Sequence, residues 1–384
     1  MSAVAPERRS RRRFLLSGEG WPYLLVPFIP LAVALSVTET NPAVTFFASA
    51  LGVIPTAALM GRATEELAER SGPGVGGLLN VTFGNAPELI IALFALGEGL
   101  HEVVKASLVG SVLGNILLVL GASMLVGGIR NSPRQVFDRV AASAQSSLLL
   151  LSVAAITLVA AFQLIEGGGL PSPTAERLDF GVGVERVSFA LAVIMMLVYG
   201  AYLVFSLITH RDLFNPPENL ASEEDAGSGA EPWTVRRSVL LLALAGVAVG
   251  VMSEILVGSV GAAAKSLGLS EFFIGAIVIA IVGNAAEHWV AVLVAAKDKM
   301  DLAVNIAIGS SAQIAIFVLP LLVLMSWLIG PGPMPLVFNG LEVVAIVVAV
   351  LIANQVTNEG ESNWFEGLLL LAVYGVLGVT FAFA

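Results

Sequence analysis

The chain has 384 residues, of which 57% are hydrophobic and only 12% are charged, and its formal net charge is −10. Soluble domains carry about 25% charged residues, so this composition excludes an ordinary soluble protein and predicts an integral membrane protein. The negative charge argues against nucleic acid as a partner, and the absence of cysteine excludes disulfide frameworks and thiolate metal sites.

The first 19 residues are basic, and their five arginines precede an apolar run from Trp21 to Val37. That run is longer than the apolar core of a signal peptide and contains three prolines, so we expect a retained, kinked membrane helix over 20–38. A cleaved signal peptide is the alternative interpretation. The basic segment 1–19 is expected to lie in the cytoplasm.

Apolar segments recur along the rest of the chain. A membrane-spanning helix needs ~20 mainly apolar residues, and eleven segments meet that requirement. An acidic linker over 210–236, which contains Glu223 to Asp225, divides them into two groups. We interpret the linker as a solvated boundary, with a weak cation-attracting patch as the alternative. The eleven segments run over 20–38, 43–64, 75–97, 103–127, 139–162, 185–208, 237–258, 272–296, 302–328, 335–355 and 364–383.

The placement of lysine and arginine predicts the orientation of these segments. If the N-terminus lies in the cytoplasm and the sides alternate, fifteen of the 19 cationic side chains face the cytoplasm and four face outside. Cytoplasmic loops of membrane proteins carry an excess of positive charge. The bias therefore supports eleven spans and an inward N-terminus.

A repeat relates the two groups of segments. Gly84-Asn-Ala-Pro-Glu88 recurs 199 residues later as Gly283-Asn-Ala-Ala-Glu287. Gly110-Ser111 recurs at the same offset as Gly309-Ser310, with no gap between the two anchors. Two consecutive helices of the first half therefore match two of the second.

The matching helices are expected to point in opposite directions. By the alternation of sides, the helix with Glu88 enters from the cytoplasm and the helix with Glu287 enters from outside. Duplicated segments of opposite direction are typical of inverted-repeat transporters, whose sites lie near the membrane midplane. We predict an all-α integral membrane protein with one N-terminal helix and two inverted five-helix repeats, over 43–209 and 237–384.

Glu88 and Glu287 fall about halfway along their helices. An acidic residue there is costly, at ~2.5–3.5 kcal/mol for a central Asp, so such residues usually face an internal cavity. Asn85 and Asn284 each precede the glutamate by three residues and share its helix face. A single glutamate can be a structural hydrogen-bond partner, whereas two in matching repeats indicate a functional site.

Three residues close to the two glutamates predict irregular backbone. Pro87 has no N–H and clashes with the carbonyl four residues earlier, and Gly84 and Gly283 permit local unwinding. Freed carbonyls, carboxylates and amides together provide hard oxygen donors. Two such clusters facing each other suit Ca²⁺, which takes about six to eight oxygens, better than they suit zinc.

The next helix of each half adds polar groups with helical spacing. Ser111 and Asn115 lie on one stripe, as do Ser310 and Gln313, so all four are candidate ligands. Packing between membrane helices explains such residues almost equally well, and both interpretations stay open.

Histidine breaks the repeat. His288 follows Glu287, whereas Leu89 follows Glu88. The imidazole is either a proton relay, since its ordinary pKa lies near neutral pH, or an orienting hydrogen-bond partner. His101 and His210 lie at helix ends and are expected to face solvent.

Five stretches of the sequence carry a family resemblance, and matches extend from about Thr64 to about Tyr374. With them the chain resembles the calcium/proton exchangers of the calcium:cation antiporter superfamily. The stretches are Gly76 to Ile91, Tyr202 to Phe214, Phe273 to His288, Gly309 to Ile314 and Glu359 to Gly367.

The resemblance implies exchange of Ca²⁺ for H⁺ by alternating access, with both ions as substrates and no cofactor. It implies a site at Glu88 and Glu287 that backbone carbonyls and polar groups complete. The Gly-Asn-Ala pattern with His288 points to proton coupling, because sodium-coupled relatives carry Ser/Thr-rich repeats. A bacterial cytoplasmic membrane is the expected location. The linker departs from the longer acidic helix frequent in the family, so no regulatory role is carried over to it.

Three other functions stay open: a sodium-coupled exchanger, a passive cation channel and a membrane-embedded enzyme that uses the carboxylates as an acid/base pair. The enzyme is disfavoured because the sequence has no His-Glu-x-x-His and no Gly-x-Ser-x-Gly motif. A symmetric inverted site also suits alternating access better than one-sided hydrolysis. The sequence carries no signal for an oligomeric state.

Overall fold

The computed structural model is almost wholly helical, which confirms the predicted all-α class. The expected basic N-terminus over 1–19 and the acidic group from Glu223 to Asp225 lie outside the residues that the structure describes. The described ranges are 20–38, 41–71, 73–210 and 233–384.

Twelve helices make up the described part of the chain, numbered here in chain order. Their bounds are α1 Trp21–Val37, α2 Pro42–Arg70, α3 Pro73–Phe83, α4 Ala86–Gly97, α5 His101–Arg130, α6 Arg139–Ile165, α7 Val182–Thr209, α8 Val235–Leu267, α9 Glu271–Ala296, α10 Met300–Met325, α11 Gly340–Glu359 and α12 Trp364–Ala382. Within the described ranges, nine of them (α2 and α5 to α12) are long and apolar enough to cross a membrane. The remaining apolar segments are the shorter α1 and the consecutive α3 and α4.

Several helices begin or end away from the predicted positions. α11 starts at Gly340 rather than near 335, because Asn339 and Glu342 form a capping box there. The segment predicted as one helix over 75–97 is divided into α3 and α4 at Gly84 and Asn85. His210 is exposed as expected, whereas His101 is fully buried, so the prediction for His101 is wrong.

Helices of the two halves pack in equivalent pairs. α2 packs against α8, and α6 packs against α11. α5 packs against α12, and its counterpart α10 packs against α7. If the two halves are exchanged, the α2–α8 and α6–α11 pairs are each unchanged. The α5–α12 pair becomes the α10–α7 pair. Two inverted repeats related by a pseudo-twofold axis produce this arrangement.

A two-stranded sheet, which was not predicted, joins connections of the two halves. Strand β1 Gln135–Val136, between α5 and α6, pairs antiparallel with β2 Glu361–Ser362, between α11 and α12. Helices α6 to α11 separate the two strands, and an even number of crossings returns a chain to the same face. The pairing therefore agrees with the predicted alternation of sides.

Cysteine labelling tests these faces, since the chain has no cysteine of its own. In sealed, oriented vesicles, Val136→Cys and Glu361→Cys are expected to react with an impermeant maleimide from the same side. Asp179→Cys, in the connection between α6 and α7, is expected to react from the opposite side. Val136 and Asp179 are both exposed, so reagent access does not limit the reaction. Labelling of Val136→Cys and Asp179→Cys from one side would contradict the fold.

Candidate cation site

The first half of the site lies at the break between α3 and α4. Gly84 and Asn85 leave the helical path, and α4 restarts at Ala86 with Pro87 in its first turn. Proline is favoured there because the first N–H groups of a helix have no intrahelical partner. Glu88 follows in the same turn and is only 8% exposed. The break therefore holds a buried carboxylate at the N-terminal end of α4.

The second half of the site lies on a continuous helix. α9 passes through Gly283 without a break, so the expected unwinding at this glycine is not found. Ala286 stands where the first half has Pro87, and no missing N–H interrupts the helix. Gly283 instead leaves space for the Glu88 side chain. A Cβ at position 283 would lie 3.5 Å from Oε1 of Glu88. The departure of α9 from α-helical geometry lies earlier, in a π-helical segment over Ile274–Ile279.

Side-chain amides join the two halves by crossed hydrogen bonds. Asn85 donates to Oε1 of Gln313 at 2.7 Å, and Asn284 donates to Oγ of Ser111 at 3.0 Å. Both asparagines use their N–H groups, so their oxygens remain available. Within the described residues, Oδ1 of each is buried and has no hydrogen-bond partner.

The two carboxylates have different surroundings. Ser310 donates to Oε2 of Glu287 at 3.1 Å. Oε2 of Glu88 is buried and accepts no hydrogen bond in the described part of the chain. Oε1 of Glu88 faces Gly283, which lies one helical turn before Glu287 on α9. Burying an unpaired carboxylate is costly, so Glu88 in its charged form lacks compensation from the described residues, whereas the half-buried Glu287 has one donor.

His288 makes the two halves unequal. Its Nε2 lies 3.0 Å from Oδ1 of Asn115, on α5 of the other half. The equivalent positions at the 199-residue offset hold Leu89 and Ile314, which are both apolar. A hydrogen bond that orients an imidazole is therefore present on one side of the site only.

Each of the nine predicted ligand and supporting side chains interacts with another of the nine, in four separate sets, although their roles remain predictions. Sequence reasoning used Gly110, which precedes Ser111, only as an anchor of the repeat and assigned it no role in packing. A Cβ at Gly110 would lie 2.0 Å from the Ala276 carbonyl oxygen, so this glycine lets α5 approach α9 closely. Its recurrence as Gly309 was the available signal.

The paired half-sites and the inverted helix pairs define a multi-pass membrane protein with a polar site inside its membrane-spanning region. The chain belongs to the sodium/calcium exchanger protein family, which matches residues 41–208 and 237–383. There is one match in each half, on either side of the linker.

Individual relatives agree with this assignment. The chain is 45% identical over 375 residues to the Ca(2+)/H(+) antiporter of Synechocystis sp., which covers 94% of this chain and 96% of that protein. It is 44% identical over 359 residues to the Ca(2+)/H(+) antiporter ChaA of Bacillus subtilis, with 93% and 97% covered. These relatives confirm the predicted calcium/proton exchanger family.

Solved structures give the same result for the fold. The structure of native YfkE matches with a TM-score of 0.78 and 40% identity, covering 94% of this chain and 99% of that chain. The crystal structure of the H+/Ca2+ exchanger CAX has the same fold at 15% identity, with a TM-score of 0.68 and coverage of 98% and 93%.

Gly110→Ala tests the close contact between α5 and α9. The added Cβ would overlap the Ala276 carbonyl, and overpacking of this kind costs about 1–3 kcal/mol. We expect a lower Tm in thermal unfolding of the detergent-solubilised protein. Gly246→Ala is the matched control, since nothing lies within 4 Å of the added Cβ, and its Tm is expected to stay or rise. Equal Tm values for the two variants would contradict the contact.

Proposed function

We propose that the protein exchanges Ca²⁺ for protons across a membrane, and that Glu88 and Glu287 bind the two ions in turn. The observation that carries the proposal is the junction of the half-sites, where three buried oxygens have no hydrogen-bond partner in the described residues. They are Oε2 of Glu88 and Oδ1 of Asn85 and Asn284. The names of the Synechocystis and Bacillus relatives support the choice of ions.

The donor set favours Ca²⁺ as the divalent substrate. Ca²⁺ takes about six to eight oxygen ligands in flexible geometry, including carboxylates, amide carbonyls, backbone carbonyls and water. In the described residues no three acidic or histidine side chains converge on one point, so two carboxylates must be supplemented by neutral oxygens. The two asparagines beside them, Asn85 and Asn284, can supply such oxygens.

Protons compete with Ca²⁺ for the same carboxylates. Two neighbouring carboxylates without a metal repel each other, so protons replace the cation when it leaves. Ca²⁺ binding in turn requires deprotonated ligands. If the gates open only when the site holds one ion or the other, exchange is obligatory, with at least two protons per Ca²⁺ when both glutamates cycle.

Alternating access needs segments that can change shape beside the site. The break at Gly84 and Asn85 is one such segment. Others are the π-helical stretches Ile274–Ile279 of α9, Gly114–Val119 of α5 and Ile314–Val318 of α10. Irregular helical turns of this kind often occur at functional sites. We propose that α3–α4 and α9 rock against the rest of the protein and expose the site to each side in turn.

The direction of transport follows from the proposed location. In a bacterial cytoplasmic membrane with an inward N-terminus, the inward proton gradient would drive Ca²⁺ out of the cell. Bacterial relatives support this location.

Glu88→Gln and Glu287→Gln test the two-carboxylate site. Each variant keeps the side-chain volume but cannot release a proton, so pH-gradient-driven uptake of radioactive Ca²⁺ into inverted vesicles should fall to that of empty vesicles. Glu98→Gln is the matched control, because Glu98 is an exposed acid beyond the end of α4 and should retain uptake. Normal uptake by either site variant would refute the proposal.

The same assay separates proton coupling from its alternatives. Ca²⁺ uptake should stop when an uncoupler collapses the pH gradient, even with a Na⁺ gradient in place. Uptake that follows Na⁺ under these conditions would identify a sodium-coupled exchanger. Uptake against a Ca²⁺ gradient excludes a passive channel.

Two substitutions at His288 distinguish a relay from an orienting group. His288→Gln keeps a hydrogen-bond donor for Asn115 but does not titrate, whereas His288→Leu reproduces the residue of the first half. We expect the Leu variant to lose roughly 5- to 150-fold in uptake rate, which corresponds to about 1–3 kcal/mol for an unsatisfied buried group. The Gln variant should retain most of the rate. Equal losses in both variants would instead identify His288 as a proton relay.

A further inference from the structure

A second group of charged side chains lies at the face opposite to β1 and β2, and its members on α5 and α11 are buried. Lys105, in the first turns of α5, is fully buried. Its ammonium group pairs with Glu102 and donates to the Val337 carbonyl at 2.8 Å, in the segment before α11. We call this group the Lys105 cluster. Its titratable and charged members are His101, Glu102, Lys105, Glu176, Arg177 and Glu342.

The connection between α6 and α7 contributes Glu176 to the cluster. Both carboxylate oxygens of Glu176 accept the backbone N–H of Glu102, at 3.1 and 3.0 Å, and so cap the start of α5. The neighbouring Arg177 is held by its own connection, because it donates to the carbonyls of Gly169 and Asp179 at 2.6 and 3.0 Å. Its guanidinium is therefore directed to backbone oxygens.

The third carboxylate belongs to α11. Glu342 is fully buried, and its Oε2 accepts the Asn339 N–H at 2.9 Å within the capping box. Oε1 of Glu342 and Oε2 of Glu102 are buried and have no hydrogen-bond partner among the described residues. The charged groups that act on Glu342 are Lys105, Glu102 and Glu176. Its unpartnered oxygen therefore belongs to the cluster.

Charge balance does not favour ionisation of both buried carboxylates, Glu102 and Glu342. Among the described residues Lys105 is the one buried ammonium, and it already pairs with Glu102. The half-buried Arg177 also attracts Glu102, whereas Lys105 is the one cation that acts on Glu342 in the described structure. A positive charge on His101 would leave it unpaired, since both ring nitrogens are buried without partners in the described residues. An uncompensated buried charge costs several kcal/mol, which exceeds what one shared lysine returns.

We propose that the Lys105 cluster is a second proton-binding site, at which at least one of Glu102, Glu176 and Glu342 is protonated at neutral pH. The bound proton removes the repulsion between the carboxylates and keeps α5, the α6–α7 connection and α11 together at this face. The site is separate from Glu88 and Glu287. Ser111 lies on the same helix roughly 9 Å from Lys105, measured along the axis.

The most accessible member of the cluster titrates in the physiological range. Burial raises the pKa of Glu176 to about 7. The backbone hydrogen bond from Glu102 lowers this pKa, and repulsion from the Glu102 carboxylate raises it. A raised carboxylate pKa means that the folded state favours the protonated form. The stabilisation is therefore present at low pH and is lost as the pH rises through about 7. Above that pH the carboxylates of the cluster repel one another, and α5, the α6–α7 connection and α11 are released from each other.

Infrared difference spectroscopy tests the proton site directly. The full chain in nanodiscs, with Glu88→Gln and Glu287→Gln to remove the transport carboxylates, should show the C=O band of a buried carboxylic acid. Glu342→Gln should abolish or shift that band, because glutamine preserves the capping box but cannot hold the proton. Glu176→Gln, on the connection, should remove the part of the band that disappears as the pH rises through about 7.

Glu98→Gln is the matched control and should leave the band unchanged, since this exposed acid lies at the same face outside the cluster. Identical spectra for the parent, Glu342→Gln, Glu176→Gln and Glu102→Gln would mean that all three carboxylates are ionised, and would overturn the proposal. The measurement does not depend on transport. Failure of the proton site and failure of Ca²⁺/H⁺ exchange therefore give different results.

A transport assay tests the release of the three segments, and this arm rests on the proposed function. In oriented proteoliposomes, the pH is varied only on the side of the cluster while the opposite side and the Ca²⁺ concentration are fixed. The exchange rate should increase as this pH rises through about 7. Glu176→Gln should flatten the profile, whereas Glu98→Gln should retain it. A profile that Glu176→Gln leaves unchanged would overturn the assignment of Glu176 as the titrating group.

Discussion

The cost of placing two carboxylates inside a membrane governs the organisation of this protein. A buried carboxylate needs a cation, a proton or hydrogen-bond donors, and neither half of the chain supplies enough of these alone. The crossed bonds from Asn85 to Gln313 and from Asn284 to Ser111 form only when both halves are assembled, and they position the two amides beside the carboxylates. Gly110 and the π-helical segment of α9 allow this close approach.

The membrane spans could be predicted because the bilayer imposes a length and a composition on each segment. The 199-residue repeat added the inverted relation of the halves, which no single span reveals. Helix ends were less accurate, since a local capping box such as Asn339 with Glu342 overrides apolar content. The β1–β2 pairing was missed because two-residue strands have no periodic signal. His101 was misplaced because position near a helix end does not determine burial.

The sequence names the residues of the candidate site, and their roles stay predictions, but it does not give the contacts among them. Helical spacing shows that Asn85 and Glu88 share a face, yet it does not show which helix of the other half that face meets. The partners Gln313 and Ser111 became evident only in three dimensions. The same limit explains Gly283, whose sequence match to Gly84 suggested unwinding. Without a proline three residues later, the helix stays intact and the glycine serves as space for Glu88.

The β1–β2 pair also determines what kind of motion α11 can make. Strand β2 directly follows α11, so the sheet fixes that end of the helix to the connection between α5 and α6. The opposite end is joined to α5 by the hydrogen bond that Lys105 donates to the Val337 carbonyl. If that end is released as proposed for the Lys105 cluster, α11 remains fixed at the sheet. The helix can then tilt about its fixed end but cannot slide along its axis. The helix is about 30 Å long, so a tilt of roughly 10° moves its free end by about 5 Å, comparable to one helical turn.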